Sequence, residues 1–133
     1  MKQWTPQMKH KKEERVIESI SKQLKASGRE FYNIHGNKMG GGNGKPDIFT
    51  MDINGHFVGI EAKAYNGKVY PNQLDKAHAI TSVGNARYIV AYADFEVEDM
   101  DNDTLPKIPY EHSEMKIEKG SCEITRKGDT QNG

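Results

Sequence analysis

Residues 44–63 read GKPDIFTMDINGHFVGIEAK, and the register of this stretch decides the fold. Asn54-Gly55 is a strong hairpin signal, so Asp47–Met51 and Phe57–Lys63 are expected to be paired strands. Two loops compete for the turn. A two-residue loop at 54–55 sets Asp47 opposite Ala62, on the wrong face. A three-residue loop at 53–55, with Gly55 left-handed, sets Asp47 opposite Glu61, Phe49 beside Gly59 and Met51 beside Phe57. Ile48, Val58, Ile60 and Ala62 then form a separate apolar face. A one-residue slip exchanges the faces, so the better-segregated pattern, from the three-residue loop, is preferred.

Side chains two apart on a strand point the same way. Glu61 and Lys63 therefore share the face of Asp47, while Ala62 points to the other. Charges on an inner face are costly unless they are paired or bind a cation. Two adjacent carboxylates suit Mg²⁺ or Mn²⁺, and the Ala62 carbonyl beside them is a further ligand candidate. Such a centre activates water and neutralises charge on a phosphodiester. Lys63 supplies a positive charge for transition-state oxygens or positions the attacking water.

Upstream, Thr5-Pro6 reads as a helix start, Val16, Ile17, Ile20 and Leu24 recur at helical spacing, and Gly28 is a natural stop. The helix is expected over about 6–27, with Lys9, Lys11, Lys12, Lys22 and Lys25 on its polar side. Phe31–His35 suits a short strand. Gly36–Gly44 is glycine-rich and reads as a loop. It is not a nucleotide phosphate loop, because Met39 and Pro46 stand where that pattern needs glycine and a hydroxyl residue, so no nucleotide cofactor is expected. Downstream, Tyr65–Lys68 reads as a turn. A second helix starts at Pro71 and runs to about Val83, with Leu74, Ala77, His78 and Ile80-Thr81 on one face, and Arg87–Ala93 is a buried strand. The order α-β-β-β-α-β predicts a compact α/β core.

After Phe95 the composition changes. Residues 1–95 are expected to form one domain and 96–133 an acidic extension. In the latter, Met115–Glu118 and Cys122–Thr125 are set to pair as a small hairpin, and Lys127–Gly133 reads as disordered. The chain has 133 residues and zero net charge, yet residues 1–93 carry +6 and residues 94–133 carry −6. Neutrality therefore does not exclude a polyanionic partner. A single cysteine, Cys122, excludes an internal disulfide. The absence of a long apolar run or an apolar leader makes a membrane partner unexpected and points to the cytoplasm. Lys38, Lys45 and Lys68 are candidate phosphate contacts. The histidines have no metal-ligand spacing, and Tyr65 and Tyr70 read as packing residues.

Gly44-Lys45-Pro46-Asp47, Gly55 to Lys63 with its Glu61-Ala62-Lys63, Asn66-Gly67-Lys68 and Gln73 resemble the PD-(D/E)XK nuclease superfamily. The likeness is nearest to its VRR-NUC branch and to small phage nucleases that resemble Holliday-junction resolvases, and it spans about residues 13–95. The resemblance implies a restriction-endonuclease-like core, a mixed central sheet flanked by helices. It implies metal ligation by Asp47 and Glu61, a catalytic role for Lys63, and a Gln73 that holds the lysine or the substrate. It also implies an acid on the first helix. Counting back about fifteen residues from Gly28 reaches Glu13, which shares the helical face of Val16, Ile17, Ile20 and Leu24; Glu14 is the alternative.

The implied activity is Mg²⁺- or Mn²⁺-dependent endonucleolytic hydrolysis of DNA, selective for branched or Holliday-junction substrates and carried out by a homodimer. A phage origin, and with it the host cytoplasm, follows from the same likeness. Alternatives are cleavage of ordinary duplex DNA, single-stranded DNA or RNA, and a non-catalytic nucleic-acid-binding module on the same scaffold.

Overall fold

The computed structural model describes residues 6–34, 45–64, 67–110, 115–117 and 120–126. Helix α1 (Pro6–Ala26) begins at its proline. It closes where the Arg29 amide donates to the Leu24 carbonyl and the Gly28 amide to Lys25. Strand β1 (Tyr32–Asn33) is shorter than expected; His35 and the 36–44 loop, with Lys38, lie outside the described residues.

Strands β2 (Ile48–Met51) and β3 (Phe57–Ala62) pair antiparallel, with Ile48 opposite Ile60, Phe49 opposite Gly59 and Met51 opposite Phe57. This is the register of the three-residue loop. Gly55 adopts φ +86°. The Asp52 carboxylate accepts the Asn54 and His56 amides at 2.9 Å each. An aspartate before a turn thus satisfies the backbone that the turn leaves unpaired.

Strand β4 (Lys68–Val69) replaces the expected turn; Tyr65 and Asn66 lie outside the described residues. Helix α2 (Pro71–Thr81) buries Leu74, Ala77 and Thr81. His78, placed on that face by the sequence, is instead exposed and stacks on Tyr110 at 4.6 Å. Strand β5 (Arg87–Ala91) runs parallel to β3. A parallel neighbour requires a crossover, and α2 supplies it. Burial on both faces explains the unbroken apolar run of β5.

The C-terminal part departs from expectation. Residues 97–101 form a one-turn helix, α3 (Val97–Asp101), and strands β6 (Lys107–Pro109), β7 (Met115–Lys116) and β8 (Cys122–Thr125) follow. Strands β7 and β8 do not form the expected hairpin. Strand β7 pairs with β4, and β8 lies between β5 and β6 in a six-stranded mixed sheet of order β1-β2-β3-β5-β8-β6. The physical reason is the edge of β5. Unpaired, it would expose a row of backbone groups beside buried side chains, and β8 covers that row.

The division at Phe95 is not kept either. Val97, Met100 and Leu105 pack with α1 and the apolar face of β2 and β3 in one core, while Ile117, Cys122 and Ile124 join α2 on the other face. The sheet is thus flanked by helices on both faces. Among the described residues no helix is long and apolar enough to cross a membrane.

Candidate active site

The β2–β3 register brings the carboxylates together at one end of the sheet. Asp47 immediately precedes β2. Its amide donates to the Ile60 carbonyl at 2.9 Å, and its Oδ2 accepts the Ala62 amide at 2.8 Å. The side chain thereby continues the ladder that the backbone leaves. The Ala62 amide faces β2, so its carbonyl lies along the same strand edge. Pro46 packs on Gly59: a Cβ at Gly59 would stand 2.8 Å from Pro46 Cγ. The glycine is what lets the chain before Asp47 approach β3.

Glu61 and Lys63 are 5% and 6% exposed. Gln73, in the first turn of α2, organises both. Its Nε2 donates to Glu61 Oε2 at 2.9 Å, and its Oε1 accepts from Lys63 Nζ at 2.9 Å and from the Tyr70 amide at 3.0 Å. One amide side chain therefore caps the helix and fixes an acid–base pair. Lys63 Nζ lies 3.8 Å from Glu61 Oε2. It also lies 5.4 Å from the centroid of the Tyr70 ring, within cation–π range. Tyr70 is half-exposed rather than packed in the core.

Burial, then the Asp47 charge, push the Glu61 carboxyl up to about 9; Lys63 opposes the shift and Glu13 adds to it. The contribution of Glu13 places that helix acid within electrostatic reach of the pair. It is half-buried, whereas Glu14 is exposed. Lys45 and Lys68 are exposed and flank the site in sequence; Lys38 lies outside the described residues.

Among the described residues no group of three or more His, Cys, Asp or Glu side chains is arranged as a metal cage. The donor set nevertheless fits a hydrated Mg²⁺ or Mn²⁺, which is held through one or two carboxylates and keeps several waters. Glu61 Oε1 is buried without a hydrogen-bond partner among the described residues. An acid that burial and its neighbours force to hold a proton gains most from a cation that replaces the proton.

Sequence reading did not single out Tyr88. Its ring is fully buried beneath α2, beside Gly59 in the β3–β5 register. Burial, then the Glu61 and Asp47 charges, hold its hydroxyl proton on. Its apolar context in the run Arg87–Ala91 hid it; only the β3–β5 pairing exposes the relation. Compared with family models, curated proteins and solved structures, the chain gives no match.

Proposed function

We propose that this protein is a divalent-metal-dependent endonuclease that hydrolyses phosphodiester bonds in DNA, with branched or four-way-junction DNA as its preferred substrate. The observation that carries the reading is the Glu61–Gln73–Lys63 chain of hydrogen bonds beside Asp47. It holds a lysine against an acid pair that is poorly stable without a cation. Asp47 and Glu61, with the Ala62 carbonyl and Glu13, would hold Mg²⁺ or Mn²⁺. When bound, the ion lowers the pKa of a water and offsets charge on the scissile phosphate.

Lys63 faces the same space. Its ammonium stabilises the extra negative charge of the pentacovalent transition state and orients the attacking water. Gln73 fixes the lysine's direction, so that its charge is not spent on Glu61 alone. Lys45 and Lys68 contact backbone phosphates away from the cut.

A homodimer suits a junction, because two symmetric cuts need two sites. The exposed Tyr32, Met51 and Phe57 offer an apolar margin for a second copy toward the turn end of the β2–β3 hairpin. The test is incubation of labelled linear duplex, flap, single-stranded and four-way-junction DNAs with the protein in MgCl₂ or MnCl₂. The expected result is cleavage of the junction at least tenfold faster than the duplex, and none in chelator. Binding without cleavage of any substrate would make the protein a binding module.

A further inference from the structure

Among the described residues, three buried side-chain polar atoms have no hydrogen-bond partner: Ser21 Oγ, Glu61 Oε1 and the Tyr88 hydroxyl. The last two belong together. In the β3–β5 ladder Gly59 lies opposite Tyr88, and Glu61 opposite Val90. Side chains alternate along a strand, so Tyr88 and Glu61 point to the same face, the one covered by α2. Tyr88 is 0% exposed and its ring is held by the Leu74, Ala77 and Val90 core. Its hydroxyl therefore has little freedom to seek a partner elsewhere. One atom is a donor, the other an acceptor. Buried polar atoms in native proteins are almost always satisfied, through water where no protein group reaches.

We propose that Tyr88 is a positioning residue of the site: its hydroxyl donates, through one ordered water, to Glu61 Oε1 and so fixes the direction in which that carboxylate meets a cation. Gln73 anchors one Glu61 oxygen and Tyr88 orients the other. The proton that the Tyr88 hydroxyl needs for this is retained, because both neighbouring acids and burial oppose its loss. The inference rests on the reading of Asp47 and Glu61 as a metal centre.

The direct test is Tyr88→Phe, which removes the hydroxyl and keeps the ring. Calorimetric titration with MnCl₂ alone measures the site without substrate. Outer-shell partners of metal ligands are typically worth tenfold to a hundredfold in affinity. Tyr88→Phe is therefore expected to bind Mn²⁺ roughly tenfold more weakly. Its metal-free melting temperature should equal or exceed that of wild type, which shows that the fold is intact. In DNA cleavage, kcat should fall while KM for DNA stays unchanged. Mn²⁺ affinity within twofold of wild type would overturn the assignment of Tyr88 alone. A wild-type protein that binds no Mn²⁺ would overturn the metal centre and this inference with it.

Discussion

At Glu61 the cost of burial and the charges of two neighbouring carboxylates act in the same direction, against the opposing charge of Lys63. The consequence for stability has a definite sign. The group titrates near 9 in the folded protein against an ordinary 4.5, so the unfolded chain loses its proton first. In the metal-free protein the linked stability is therefore present in full below about 4.5 and is lost as pH rises through about 9. The effect is on the order of several kcal/mol across that window. Thermal melts in chelator should decline from pH 5 to 9, Glu61→Gln should flatten the decline, and MnCl₂ should oppose it; a wild-type profile identical to that of Glu61→Gln would remove the shift from the account. Gln73→Ala breaks two side-chain bonds and a helix cap. It should cost about 1–2 kcal/mol in denaturant melts and reduce turnover by roughly a hundredfold. The acid pair was legible before the fold because alternation and turn length fix which side chains share a face. Tyr88 was not, because a tyrosine in an apolar run carries no local sign of what it faces.

The elements divide by how local their causes are. Strands β2 and β3 were readable because Asn54-Gly55, the Asp52 carboxylate and strict alternation all act within one hairpin. Helices α1 and α2 were readable from their prolines and apolar spacing. Helix α3 was not: Val97 and Met100 are the only apolar residues of a single turn, and the acids around them dominate the composition. Strand β8 was misassigned because its partner, β5, is more than thirty residues away, whereas the nearby Met115–Glu118 offered a plausible hairpin. The Pro46–Gly59 contact leads to a prediction at this scale. Gly59→Ala forces a methyl against Pro46 at 2.8 Å and displaces the backbone that carries Asp47. It should destabilise the protein by about 1–3 kcal/mol in denaturant melts and weaken Mn²⁺ binding. A variant with unchanged stability and metal affinity would show that Asp47 is positioned by other contacts.

The two oppositely charged parts of the chain are joined in the folded molecule. Arg87 makes a two-pronged contact with Glu123, at 2.7 and 3.1 Å, and reaches Asp52 at 3.0 Å. Arg29 holds Asp101 through two bonds of 2.8 Å. Acids of the C-terminal part are thus ion-pair partners of the sheet and of the segment after α1. Truncation after Phe95 removes β8 together with Met100, Leu105, Cys122 and Ile124 from the two cores. The shortened chain is expected to lack a cooperative melt, whereas truncation after Arg126 should keep one; calorimetry of both chains checks this. A folded chain ending at Phe95 would restore the division at that residue. The central claim is that the Asp47–Glu61–Lys63 arrangement cleaves phosphodiesters with a divalent cation. The most direct measurement is the single-turnover hydrolysis rate of a labelled four-way-junction DNA in MnCl₂ by wild type, Asp47→Asn and Lys63→Met, with DNA affinity measured on the same preparations. The account predicts rates lower by at least roughly a thousandfold in both variants at nearly unchanged affinity. Cleavage by either variant at the wild-type rate would contradict it.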